Sequence, residues 1–413
     1  MNRRDFSKYV LTGGAALLAP SIAGGAAEAA FSPQQNMTDK FDLLIEGGTV
    51  IDPGQNLNGA MGVAIHEGKI LEVSRSIARE RAVKVVSAKD RVVTPGFIDI
   101  HAHCYDGLGI GMNADRSCLG RGVTTVVDAG SAGYVAFPNF RKYIINSATT
   151  RIVALVHIGA IGTMMFDGGL ENLSWVNSQM TAKMAIDNKP AAVGIKIQLS
   201  KAITGSTDLE GLRRAVEAAK IAGLPLMAHI DEPYSPLPDI LKLLRKGDIF
   251  THCYNNHTHG ILDANGKIIP EALDARARGV IFDPAQGQTH LSFDVAEKCL
   301  QQNFLPDTIS TDLTKVTVER RVFDLPTMVN KFMAIGIPLD RAIGMVTANA
   351  ARVFDYGAQI GSLRPGSEAD VSIFELRDGK FDFEDSDGVK RTGRQMLVNK
   401  TVMRHGQVFV NEI

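Results

Sequence analysis

The chemistry this chain could perform begins with a short run, Phe97-Ile98-Asp99-Ile100-His101-Ala102-His103. It reads as a β-strand. Strand side chains alternate faces with period two, so His101 and His103 point the same way at the strand's C-terminal end. Two imidazoles converging there make half of a divalent-metal site. Four more ionisable residues sit in or close similar apolar runs: Lys196 in Gly194-Ile195-Lys196-Ile197, His229 in Ala228-His229-Ile230, His252 in Thr251-His252-Cys253, and Asp312 in Ser310-Thr311-Asp312. Desolvation makes such placements costly unless each group has a partner. Gathered on one face, they would hold metal.

The elements that must gather them have a clear rhythm. Apolar strand-like runs recur at Phe97–His103, Thr124–Asp128, Ile152–Ile158, Ala192–Leu199, Pro225–Ile230, Ile249–Tyr254, Val280–Pro284 and Thr308–Asp312. Amphipathic helical stretches lie between most of them. The clearest spans Asp208 to Ala222, with Thr207 and Glu210 spaced as a capping box and Gly223 as the stop. Near-continuous apolar strands alternating with helices predict an α/β fold, a parallel (β/α)8 TIM barrel with function at the C-terminal strand ends. The two chain ends read differently. Strands at Phe41–Val50, Val63–Ile65 and Ile70–Val73 precede the barrel; Asp370–Phe374, Gln395–Val398, Val402–His405 and Val408–Val410 follow it. The expected organisation is a signal segment over 1–29, the first part of a small β-sandwich over 40–92, the barrel over 93–356 and the second part of the sandwich over 357–413.

On these residues the chain resembles the metal-dependent amidohydrolases of the binuclear kind, the group with dihydroorotase, hydantoinase and isoaspartyl dipeptidase. The resemblance runs from about Phe41 onward. It includes Val93-Thr94-Pro95-Gly96 leading into the histidine pair and the later Gly361-Ser362-Leu363-Arg364-Pro365-Gly366. Gly122-Val123-Thr124-Thr125-Val126-Val127-Asp128-Ala129-Gly130 and Ile309-Ser310-Thr311-Asp312-Leu313 resemble a deacetylase-like branch. The resemblance implies two divalent ions, zinc foremost, although the same ligands suit manganese, iron or cobalt. His101, His103 and Asp312 would hold the more buried ion, and His229 and His252 the other. Lys196 would bridge them as N6-carboxylysine, because a bare ammonium has no lone pair to offer. Burial should lower its pKa and leave an amine able to form the carbamate. A hydroxide shared by the ions would attack a carbonyl, with Asp312 as the acid/base group. The implied activity is cleavage of an amide or ester bond of a small acylated acid. The alternatives are a cyclic amidase of the dihydroorotase or hydantoinase type, a mononuclear D-aminoacylase, and a non-catalytic binding protein of the same fold.

Several residues after the strands are candidate substrate contacts: Tyr105, Asn255, His257 and His290. Tyr105 stands where dihydroorotases keep an arginine, which weighs against that activity. Tyr134 reads as a plain loop tyrosine, and His66, His157 and His405 as structural. A net charge of −1 gives no reason to expect a nucleic-acid partner. The expected partner is a small-molecule substrate, and self-association is left open. The four cysteines lack paired spacing and read as buried hydrophobes. At the N-terminus, Arg3-Arg4-Asp5-Phe6 precedes an apolar run broken by Pro20, and Ala27-Glu28-Ala29 follows. This resembles a twin-arginine export signal with a cleavage site, predicting a periplasmic protein with no stable membrane attachment afterwards.

Overall fold

The computed structural model describes residues 40–165 and 167–411. The expected signal segment lies outside the described residues. Along the chain, the strands are β1 (Phe41–Asp52), β2 (Leu57–His66), β3 (Lys69–Ser74), β4 (Ala82–Ser87), β5 (Val92–Pro95), β6 (Phe97–Ala102), β7 (Val123–Asp128) and β8 (Arg151–His157). They continue with β9 (Ala192–Leu199), β10 (Leu226–Ile230), β11 (Ile249–Thr251), β12 (Ile281–Asp283), β13 (Val371–Glu384), β14 (Lys390–Arg404) and β15 (Gln407–Asn411).

The chain ends form one eight-stranded sheet, in the order β15-β14-β13-β5-β1-β2-β3, with β4 beside β1. Ile70 of β3, near one end, and Met403 of β14, near the other, join one apolar cluster with Ile45, Val63 and Ile373. The sheet therefore folds over a shared core. Two of its strands, β4 and β5, were not foreseen. The second reaches Pro95, past the expected boundary at residue 92. Gly96 makes the passage into the barrel, and a Cβ there would overlap Thr124. The C-terminal strands are also longer than expected. β13 and β14 form a hairpin whose charged middle, Glu375 to Glu384, carries little apolar pattern. At its tip, Asp385 accepts from Phe293 N at 2.9 Å and Ser386 N donates to Leu291 O at 3.0 Å. The terminal sheet thus reaches the barrel's loops.

Strands β6 to β12 form a parallel sheet in sequential order. Ile98, Ile100, Val127, Leu155 and Met227 cluster on one face. Val126, Val156, Ile195 and Phe250 join a larger cluster with residues of the surrounding helices. These are the inner and outer faces of a (β/α)8-type barrel. Its eighth position is an extended segment rather than a regular strand. Asp312 N donates to His101 O at 2.7 Å and His103 N to Leu313 O at 2.9 Å, joining the segment to β6. On the other side, Thr308 and Ser310 hydroxyls donate to Asp283 of β12 at 2.9 and 2.7 Å. Polar side chains replace much of the ladder, and Asp312 adopts a left-handed φ of 52°, which ends strand geometry there. His252, with φ 68°, ends β11 in the same way, three residues short of expectation.

Helix Asp208–Ala222 has the expected bounds, and Gly223 takes the left-handed cap (φ 65°). The capping box does not form. The Thr207 hydroxyl donates to Leu170 O and Thr204 O, and Glu210 pairs with Arg213 and Arg214. Two nearby carbonyls compete successfully for the hydroxyl. The four cysteines are buried and unpaired. No helix among the described residues is long and apolar enough to cross a membrane.

Candidate metal centre and active site

The C-terminal ends of the barrel strands bring His101, His103, Lys196, His229, His252 and Asp312 together. Asp312 Oδ1 lies 3.4 Å from His101 Nε2 and 3.2 Å from His103 Nε2. The Lys196 amine is 3.2 Å from His101 Nε2, and His252 Nε2 is 2.9 Å from His229 Nδ1. A cavity of about 310 Å³ opens onto His103, Lys196, His229, His290 and Asp312, with Ile110, Gln198 and Thr314 completing much of its wall. Larger cavities of about 480 and 590 Å³ contain none of the six.

Hydrogen bonds behind the imidazoles fix their tautomers. His101 Nδ1 meets the Thr251 hydroxyl at 2.9 Å, and that hydroxyl donates to Asp283 at 2.8 Å. His103 Nδ1 meets the Ser131 hydroxyl at 3.0 Å, and that hydroxyl donates to Asp128 at 2.7 Å. Each hydroxyl spends its one proton on a carboxylate, so each ring must donate from Nδ1 and keep a lone pair on Nε2. His252 Nδ1 donates to Ala285 O at 2.7 Å, with the same consequence. The site therefore presents more lone pairs than protons in a buried centre. A divalent cation fits that donor set. Ligand atoms of His101, His103 and Asp312 fall within 4.8 Å of one another, as do those of His229, His252 and His290.

The charges follow from burial and neighbours. Burial lowers the Lys196 pKa to about 8, with Asp312, Asp283 and Asp128 opposing. Burial alone would raise Asp312, but His101, His103 and His290 outweigh it and hold the carboxyl well below its usual range. Burial pushes His101, His229 and His252 well below the usual imidazole value. Asp99 is raised to about 7 by burial, against hydrogen bonds from Thr311 and the His101 amide.

His290, expected as a loop contact, belongs to the cluster itself. Its ring centre is 4.0 Å from that of His252 and 5.0 Å from that of His229. Its Nε2 donates to Asp231 at 3.1 Å, while Nδ1 is buried without a hydrogen-bond partner among the described residues, 3.7 Å from Asp312 Oδ2. Burial opposes protonation, yet Asp231 and Asp312 raise its pKa to about 9. His257 donates to the other oxygen of Asp231, behind His290 and not on the cavity wall. Two more expected contacts, Tyr105 and Asn255, also lie off that wall. The Tyr105 ring stacks on Phe140 at 4.7 Å and is absent from the cavity wall, because apolar packing under the loop claims it. Asn255 spends its amide on Ile230 O and His252 O and its oxygen on His257 N, so it ties the loop together. The Tyr134 hydroxyl donates to Trp175 O at 3.3 Å.

Sequence reasoning missed Asp99, Asp128, Asp231 and Asp283. The signal was present, since Asp99, Asp128 and Asp283 interrupt or close the same apolar runs. Asp231 follows His229 at the two-residue spacing of His101 and His103.

Known proteins bear on this geometry. The model of the amidohydrolase family matches residues 92–406. A deacetylase of Brucella anthropi is 32% identical over 332 residues, covering 79% of this chain and 82% of its own. A deacetylase of Enterococcus faecalis is 32% identical over 376 residues, covering 90% of this chain and all of its own. A crystal structure of an adenine deaminase is 31% identical, with a TM-score of 0.85, covering 90% of this chain and all of that one. The chain belongs to the amidohydrolase family and is a hydrolase acting on carbon–nitrogen bonds.

Proposed function

We propose that this hydrolase removes an acyl group, acetyl foremost, from a small N- or O-acylated acid. The observation that carries the reading is the convergence of six residues at one barrel mouth: His103, Lys196, His229 and Asp312 line the cavity, His101 and His252 stand directly behind them, and imidazole lone pairs turn inward. Two divalent ions, zinc foremost, fit between His101, His103 and Asp312 on one side and His229 and His252 on the other. Bound there, they would polarise the substrate carbonyl and make a water far more acidic.

The chain's own residues do the rest. Lys196 is carboxylated. Its neutral amine bonds to the carbon of CO2, one C=O electron pair moves to oxygen, and the amine proton leaves to solvent. An ammonium would repel two dications in a low-dielectric pocket, whereas the carbamate offers them oxygen. Asp312 takes the proton of the attacking water and returns it to the leaving amine or alkoxide. His290, held by Asp231, stands on the cavity wall as a substrate contact. The deacetylase names of the relatives support acyl removal, as does Tyr105 in place of a carboxylate-gripping arginine.

The test is a panel of N-acetyl and O-acetyl acids, dihydroorotate, hydantoins and adenine offered to the metal-loaded protein. Acetate release is the expected result. Ring opening, or ammonia release from adenine, without any acetate release would reverse the assignment.

A further inference from the structure

His157 ends β8, the strand beside Lys196, and the two residues are in register across the ladder. Their stems flank the same glycine: a Cβ on Gly130 would lie 2.7 Å from Lys196 Cβ and 3.4 Å from His157 Cβ. The His157 ring is fully buried. Its Nδ1 accepts from Gly159 N at 3.0 Å, so the ring's proton is on Nε2. That Nε2–H is buried with no hydrogen-bond partner among the described residues. An orphaned buried donor of this kind costs about 1–3 kcal/mol and calls for an acceptor. His157 is absent from the cavity wall, whereas Lys196 is on it. The missing acceptor is therefore sought on the lysine rather than on a substrate. Free Lys196 supplies none when protonated. Carboxylation would add two oxygens sharing one negative charge, with lone pairs able to accept a hydrogen bond.

We infer that His157 is a positioning residue for carboxylated Lys196, its Nε2–H donating to the carbamate. The inference rests on the carboxylation of Lys196 proposed above. The hydrogen bond does two things. It removes an unsatisfied donor from the barrel interior, and it favours the carbamate over the free amine, so it acts on loading before any turnover.

The test follows carbamate and metal rather than rate. Metal-stripped full-length protein is titrated with 13C-bicarbonate at fixed zinc, and the carbamate 13C signal and zinc per chain are read together. His157→Phe keeps a ring of similar size without the donor. It should need roughly tenfold more bicarbonate for half-loading, as expected for loss of a hydrogen bond to a charged group. His157→Gln keeps an N–H donor and should load close to wild type. In the unmutated protein, the His157 Nε2–H resonance should move as bicarbonate is added, which gives a readout free of any folding defect. A stationary resonance in a chain that does gain carbamate overturns the role of His157. So does His157→Phe loading like wild type, and a defect confined to KM would move the donor to the substrate. Absence of carbamate in fully metallated wild type removes the lysine proposal itself and this inference with it.

Discussion

The proposed reaction places two demands on Asp312. It must be ionised beside the histidines, and it must exchange a proton during turnover. His101, His103 and His290 supply the first, holding its pKa well down against the effect of burial. Asp312→Asn keeps an oxygen but cannot take the proton. It should lose at least about 10²-fold in kcat while metal analysis shows the centre still loaded. Near-normal turnover in the loaded variant would end the acid/base role. Gly287 guards the same carboxylate. Its φ is 51°, and a Cβ there would overlap Asp312 Oδ2 and lie 3.0 Å from His290 Nδ1. Gly287→Ala should displace Asp312 and lower kcat by on the order of 10²-fold, with circular dichroism unchanged. Lys196 gives a pH prediction. Carboxylation needs the neutral amine, and burial lowers its pKa from 10.5 to about 8. At fixed dissolved CO2, the carbamate loading rate of metal-free protein should rise with pH and level off above about 8. A flat profile from pH 6 to 9 would show that amine deprotonation does not limit loading.

The elements that hold these residues depend on polar contacts the sequence places far apart. The hairpin of β13 and β14 extends from the terminal sheet to the loop carrying His290. Asp385 at its tip accepts from Phe293 N, Asp387 N and Val389 N. Helix Phe293–Gln301 has no side-chain cap from Ser292, its own N-cap residue, so Asp385 supplies one from 92 residues away. Asp385→Ala should cost about 1–3 kcal/mol and lower the melting temperature measurably. It should also raise KM, since Ser386 and Leu291 exchange hydrogen bonds next to His290. A variant that melts and binds like wild type would make the hairpin tip incidental. The eighth barrel position shows the same dependence: buried Asp99 and Asp283 anchor it through Thr311, Thr308 and Ser310.

For the molecule as a whole, the export signal is a proposal on residues outside those described. Arg3-Arg4 and the apolar run after them fit a route that carries folded protein, which would suit an enzyme that acquires metal, as proposed above, before export. Replacing both arginines with lysine should leave unprocessed precursor in the cytoplasmic fraction. Normal processing of that variant would point to another route.

Barrel alternation and the six converging residues were legible because both follow from one local rule. An apolar run is readable from neighbouring residues, and an ionisable group inside it is costly without partners. Burial of that kind marked His101, Lys196 and His252 in the sequence. Which way the remaining polar groups face depends on distant segments and had no local signature. Tyr105 had a ring of Phe140 to stack on, and Thr207 had two carbonyls at hand. Asp231 found two histidines, one 26 and one 59 residues later in the chain. His157 reads as structural in the sequence. Only the packed barrel sets it beside Lys196 with a proton and no acceptor among the described residues. Hydrophobic periodicity is a property of neighbours along the chain. Hydrogen-bond satisfaction is settled by neighbours in space, and only the tertiary structure supplies those.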